Sequence, residues 1–400
     1  MKEEDTPNQI PAWLKETQNK SWEPEIIISG LILASLFILP EKLFVFCTML
    51  IQEYAVEFTS VFLIMLYLSL VVNVFKVFFI THLLSRLIWT GLVGLSYAFP
   101  RGVDSKKSFK KFSHYNFSSP TELVIKLEKW CSMLFAFPVY IGIIFIVFTL
   151  LLFLIVTLST ILDLGFIATF SLFFIIWLFY MIIILVYNRS PVAERIGTSI
   201  PSTISSVYQS NLGKWKVQLF IIIITLIAIP FIYNDQKDII LFGNLAKIDS
   251  ELAWPNKANW YEEYHDKSKR YPRAFIKTAS VKDDFLMFNV VFFAEDSKNV
   301  SIVSNHLELI DSLDWHTIEK PTDLMRVYLN DSLIYNPEWY QAVLPITQQK
   351  ILQAFLNIEL LPKGRHVIRI EKLCYFDLGF SNPEVRYREK WAEIPFVKLH

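Results

Sequence analysis

Val217-Gln-Leu-Phe-Ile-Ile-Ile-Ile-Thr-Leu-Ile-Ala-Ile-Pro-Phe-Ile-Tyr233 is the stretch on which the reading of this chain turns. It carries no charge, and a bilayer-spanning helix needs about 20 mostly apolar residues. Immediately after Tyr233 the long apolar runs stop, and short segments rich in β-branched and aromatic residues take over. The chain therefore divides there. Residues 22–233 read as a membrane domain and 234–400 as a folded β-rich domain.

Working back from that stretch, four further spans are expected. They cover about 22–40, 58–84, 132–158 and 164–187, which with 217–233 makes five. Pro40-Glu41-Lys42 is read as the stop of the first. The run 87–99 is apolar and could extend the second helix, rest in the interface or re-enter; its position between Arg86 and Arg101 favours the first two. The N-terminal tail, 1–21, opens on acidic residues and has no A-x-A-like cleavage site, so the first span is read as retained.

Orientation follows from Lys and Arg, which accumulate in cytoplasmic loops. Loop 85–131 holds Arg86, Arg101, Lys106, Lys107, Lys110, Lys111, Lys126 and Lys129. Loop 188–216 adds Arg189, Arg195, Lys214 and Lys216, whereas 41–57 and 158–163 hold only Lys42. Five alternating spans satisfy this bias with the N-terminus inside and 234–400 outside. The formal net charge of zero over 400 residues is thus a sum over two sides of a membrane.

Composition agrees. The chain is 53% hydrophobic and 19% charged, against about 25% charged in ordinary soluble domains. None of the eleven glycines builds a dinucleotide or phosphate loop. Cys47, Cys131 and Cys374 form no C-x-x-C pair, and the seven histidines never cluster at ligand spacing. No G-x-S-x-G elbow exists. No catalytic residue, metal ligand or cofactor is assigned. Within the spans Lys76, His82 and Asp163 all sit near ends, which disfavours a proton relay.

In the C-terminal part, Arg273–Ala279 and Phe285–Ala294 read as strands. Arg326-Val-Tyr-Leu, Asn330-Asp331 and Ser332-Leu-Ile-Tyr335 read as a hairpin, because Asn and Asp tolerate positive φ. Phe355–Leu361 and Arg365–Leu373 read as a second pair joined by Pro362-Lys363-Gly364, with Ile368 and Ile370 facing one way and Val367, Arg369 and Glu371 the other. Segments 305–320 and 346–354 are expected to be helical. The fold class is therefore an α-helical membrane bundle plus a mainly-β extracytoplasmic domain, read as a β-sandwich.

Two surfaces could bind something. Trp254, Trp260, Tyr261, Glu262, Tyr264 and His265 interleave rings with polar groups, as a sugar platform or an interfacial belt would. Arg86, Arg101, Lys106, Lys107, Lys110 and Lys111 could meet anionic lipid headgroups at the cytoplasmic face. No recognised fold accompanies the charge, so nucleic acid is not expected as a partner.

Ser21-Trp-Glu-Pro-Glu-Ile-Ile-Ile-Ser-Gly30, and His82-Leu-Leu-Ser-Arg-Leu-Ile-Trp-Thr-Gly-Leu-Val-Gly-Leu-Ser96 with Phe99-Pro100, resemble landmarks of a group of uncharacterised bacterial polytopic inner-membrane proteins. The resemblance covers about 25 residues around 21–30 and 82–100. It implies a bacterial cytoplasmic membrane with 234–400 in the periplasm, and it transfers no activity. The function expected is non-catalytic recognition of an envelope protein or glycan, as sensor, scaffold or assembly factor. The rivals are an enzyme acting on a lipid-linked substrate and an oligomeric channel subunit.

Overall fold

The protein is described from a computed structural model that covers residues 22–103, 117–162, 199–243, 259–306, 312–335, 337–376 and 384–399, with short pieces within 168–182 and at Ile310. The chain forms two compact units. One gathers the residues up to Pro40, Leu70–Leu158 and Phe173–Phe231. The other gathers Glu41–Ser69, Ser159–Leu172 and Ile232–His400.

The helices are α1 (Trp22–Tyr54), α2 (Phe58–Ala98), α3 (Pro120–Ile161), α4 (Ile200–Leu212), α5 (Lys214–Gly243) and α6 (Ala294–Ser304). Four of them, α1, α2, α3 and α5, are long and apolar enough to cross a membrane. This is a multi-pass helical membrane part. The expected span 164–187 lies largely outside the described residues, as do Trp254 and Lys106 to Lys111.

Helix lengths differ from the sequence reading in instructive ways. Pro40 does not stop the first helix, which runs on to Tyr54. The stop is Ala55, whose φ of 53° ends the helix, and the Val56 N–H then donates back to the Leu50 carbonyl at 3.1 Å. Residues 87–98 extend α2, giving 41 residues and no break. At 1.5 Å per residue that is about 60 Å, roughly twice a bilayer core. The amphipathic segment from Thr121 is continuous with the third span. Its start is fixed by reciprocal bonds, Glu122 N–H to Ser119 Oγ at 3.2 Å and Ser119 N–H to Glu122 Oε2 at 3.3 Å. Hydroxyls inside the apolar helices are satisfied locally, as where Thr81 donates to the Val77 carbonyl and Ser85 to that of Thr81.

In the first unit an aromatic cluster closes the packing. Phe78 of α2 lies 5.3 Å from Phe137 of α3 and 5.8 Å from Phe220 of α5 between ring centroids. The Phe78–Phe220 pair is edge-to-face, a geometry that adds about 1 kcal/mol beyond area burial.

The second unit holds two sheets. The first has the order β1 (Ala274–Ile276), β3 (Phe285–Val291), β7 (Lys350–Asn357), β6 (Tyr340–Val343). The second has the order β2 (Ser280–Val281), β9 (Glu384–Lys398), β8 (Gly364–Phe376), β4 (Met325–Leu329), β5 (Ser332–Ile334). Among the described strand pairs only β2–β9 is parallel, and an isolated parallel bridge joins Tyr261 to Ile276. One core draws from both sheets: Phe288 and Val290 with Ala354 and Leu356, and Val327 with Ile368, Ile394 and Phe396. Register places large against small, Phe288 opposite Ala354.

The Asn330 hairpin forms as read, with Asn330 at φ 55° between β4 and β5. Segment 346–354 is not helical: Lys350 onward is β7, paired with β3 on one side and β6 on the other. Two ladders of long-range pairing override a weak local preference. The described part of 305–320 from Leu313 onward is also non-helical. Strands β7 and β8 do not pair, since the Pro362-Lys363-Gly364 link carries the chain from one sheet to the other. Glu371 keeps the face of Arg369, to which it is ion-paired at 3.5 Å, yet it is buried there.

Candidate functional site

In the first unit the two landmark stretches meet. Trp22, Glu25 and Ser29 fall three and four residues apart on α1. His82, Arg86 and Trp89 repeat that spacing on α2, so each set shares one helix face. The Arg86 guanidinium donates through Nη2 to Glu25 Oε2 and through Nη1 to Glu128 Oε2 of α3, the latter at 2.7 Å. His82 Nδ1 lies 2.9 Å from Ser29 Oγ, and its Nε2 lies 3.7 Å from Glu25 Oε2. The Trp89 ring sits 5.4 Å from the guanidinium and 5.8 Å from the Trp22 ring.

Arg86 is only 1% exposed. A buried guanidinium is tolerable only when paired and hydrogen-bonded, and two carboxylates from two other helices do this here. The sequence reading had Arg86 meeting lipid headgroups; the structure instead encloses it among α1, α2 and α3. Arg101 is exposed. Lys76, read as lying near a span end, is buried and donates to Asn73 Oδ1 at 3.2 Å, with its ammonium 5.5 Å from the Phe37 ring.

In the second unit a polar network joins the end of α1 to the chain before β1. Arg270 Nε donates to Gln52 Oε1 at 2.9 Å, its Nη2 to Glu53, and its Nη1 to the Thr347 carbonyl at 3.2 Å. Gln349 donates to Gln52 Oε1 and to the Tyr271 carbonyl, while the Tyr271 N–H donates to Gln349 Oε1. Tyr271 is stacked between Phe275 and His265, at 3.6 and 3.7 Å. Burial pushes the Tyr271 hydroxyl far above its ordinary value, so it stays neutral.

The five described residues of the expected ligand platform do not form one exposed surface. Trp260 and Tyr261 belong to the core, and the Tyr261 hydroxyl donates to the Pro395 carbonyl. His265 is consumed by its stack on Tyr271, Glu262 is half-buried, and Tyr264 is exposed. Trp254 lies outside the described residues. Among the described residues no three His, Cys, Asp or Glu side chains form a metal-binding group.

A different aromatic surface exists on the outer face of the β1-β3-β7-β6 sheet. Met287 is opposite Phe355, Phe285 is opposite Asn357, and Gln353 is opposite both Asn289 and Tyr340. Opposed residues share a face, and so do residues two apart. Phe285, Met287, Phe355 and Tyr340 therefore project together, away from Phe288 and Val290. Phe285 is 60% exposed, Phe355 54% and Tyr340 51%. The Tyr340 and Phe355 rings meet edge-on at 6.0 Å, and the Tyr340 hydroxyl donates to Glu338. Beside them, β6 pairs only with β7 among the described residues.

No protein-family model matches the chain, and no curated protein or solved structure matches it.

The sequence reading missed Glu25, Ser29 and Glu128. Their signal was the recurrence of polar residues on one face of otherwise apolar helices. It also missed the Phe285–Phe355–Tyr340 face, which needs the strand register and so leaves no local trace.

Proposed function

We propose that this is a five-span inner-membrane protein whose extracytoplasmic β-sandwich recognises an envelope protein and acts as a sensor, scaffold or assembly factor without catalysis. The observation carrying this reading is the exposed Phe285–Met287–Phe355–Tyr340 face next to the open edge of β6. Exposed apolar patches rimmed by polar residues mark interaction sites, and an open strand edge offers backbone groups to a partner strand. The rim here is Glu338, Gln353 and Asn357. Arg86 is not free to serve an enzyme acting on lipid-linked substrates, because both its terminal nitrogens are occupied by carboxylates.

Two experiments in cells test this. A reporter active only outside the cytoplasm, fused after His400, is expected to be active, and one fused after Lys107 silent. The reversed pattern overturns the orientation. A photoreactive phenylalanine analogue replacing Tyr340 is expected to give one discrete protein adduct, and the same analogue replacing Glu389 on the other sheet none. Phe355→Ser should abolish the adduct while changing stability by no more than about 0.5 kcal/mol, as exposed substitutions do. Adducts to lipid alone, or none, would overturn the protein-partner reading.

A further inference from the structure

The first unit contains a cavity of about 190 Å³ among α3, α4 and α5. Its floor is mainly apolar. Leu134 and Phe137 of α3, Tyr208 of α4 and Phe220 of α5 line it. Phe137 meets Tyr208 edge-on at 5.1 Å and Phe220 at 5.5 Å. Of the polar groups lining it besides Lys216, the Tyr208 hydroxyl donates to the Met133 carbonyl at 2.7 Å and the Asn211 amide donates to the Val207 carbonyl at 2.8 Å. The lining offers water little: the space corresponds to about six water molecules of liquid, but water needs two to four polar partners each.

The mouth is different. Lys216 of α5 and Trp130 of α3 line it, both exposed. Lys214 and Lys129 stand next to them in sequence, together with the exposed Trp215. The boundaries read from hydropathy cut across this cavity, because the third span begins at Ser132 and the fifth at Val217. Trp130 and Lys216 therefore stand at headgroup level, while Leu134, Phe137 and Phe220 lie at hydrocarbon level. Tryptophan at such a boundary is the usual interfacial anchor.

We propose that this cavity is a binding site for one anionic glycerophospholipid, with an acyl segment against Phe137 and Phe220 and its phosphate against Lys216. Charge complementarity and the match of each lining zone to a bilayer depth select this occupant. Its assignment to the cytoplasmic leaflet rests on the orientation proposed above. Occupancy itself does not, since a lipid reaches the cavity from whichever leaflet faces it.

The test uses the full-length protein, delipidated in detergent and titrated with dioleoyl phosphatidylglycerol or dioleoyl phosphatidylcholine, with bound lipid counted by native mass spectrometry. Wild type is expected to retain one phosphatidylglycerol at least about fivefold more tightly than phosphatidylcholine. That ratio corresponds to about 1 kcal/mol for a cation at an anionic surface. Lys216→Gln, at an exposed position that does not threaten folding, should remove the preference. Leu134→Trp should fill the floor and lower retention of both lipids, with an unchanged thermal transition showing that the fold survives. Lys237→Gln on the second unit should change nothing. Equal retention of the two lipids by wild type, or an undiminished preference in Lys216→Gln, would overturn the proposal. Should Leu134→Trp unfold the protein, the Lys216→Gln result decides alone.

Discussion

Both units bury an arginine, and they neutralise it differently. Arg86 in the helical unit is held by two carboxylates, Glu25 and Glu128, each from a different helix. Arg270 in the β-containing unit is held by one carboxylate, one amide oxygen and one backbone carbonyl. The contrast has a physical origin. Helical backbone carbonyls are consumed by i→i−4 bonds, so a cation between helices must find side-chain acceptors. Loops beside a sheet keep spare carbonyls, such as that of Thr347, and a cation there needs fewer charges around it. One formal consequence is that the Arg86 centre carries one carboxylate more than its guanidinium, before His82 is counted.

The largest expected effect comes from breaking the first centre on one side only. Arg86→Met leaves Glu25 and Glu128 buried or half-buried without their cation, and should cost about 3–5 kcal/mol. Thermal unfolding of the detergent-purified full chain measures it. The triple variant Glu25→Gln, Arg86→Met, Glu128→Gln removes all three charges together and should recover most of the loss, because a buried triad replaced as a whole is often neutral. If the triple variant is no more stable than Arg86→Met, stranded charge is not what makes Arg86 important.

Arg270→Met should cost less, about 2–3 kcal/mol. It strands only Glu53, which is partly exposed and can be hydrated. The Gln52–Gln349–Tyr271 bonds persist without it. A cost equal to that of Arg86→Met would mean that the two centres are not distinguished by their acceptors, and the contrast would fail.

The sequence exposed those parts of the molecule whose causes are local. Runs of apolar residues announce helices because 20 in a row have few other uses. Asn330 announces its turn because few residues accept a φ of 55°. Pro40 misled because a proline breaks a helix only when nothing else holds the helix together, and Phe44, Cys47 and Ile51 beyond it pack into a core with Val61 and Ile239. Segment 346–354 misled because four pairs with β3 and four with β6 outweigh local propensity. The Arg86 centre was half legible. His82 stood out as a polar residue near a span end and Arg86 as a cation of the loop 85–131, but their partners lie 42 to 61 positions away in sequence.

Glu295 of α6 gives the comparison its third case, a surface carboxylate that is not centred on a guanidinium. Desolvation of its carboxyl by neighbouring residues is the main influence and raises its pKa above the ordinary carboxylate value. The nearby Asp296 acts in the same direction, against a hydrogen bond from Asn299 and the charges of Lys372 and Lys298. The sign follows from linkage. A carboxyl whose folded pKa is raised holds its proton more tightly folded than unfolded. Its favourable contribution is full below the unfolded pKa and is lost as pH rises through the folded one. Glu295→Gln, which cannot ionise, should therefore be more stable than wild type near pH 7 and lose that advantage near pH 4. The effect should be smaller than either arginine substitution, because Asn299 and Lys372 already offset part of the penalty. The midpoint difference between variant and wild type, followed from pH 4 to pH 7, should rise steadily. A flat difference would place Glu295 in contact with enough compensating charge to join the two arginine centres instead of contrasting with them.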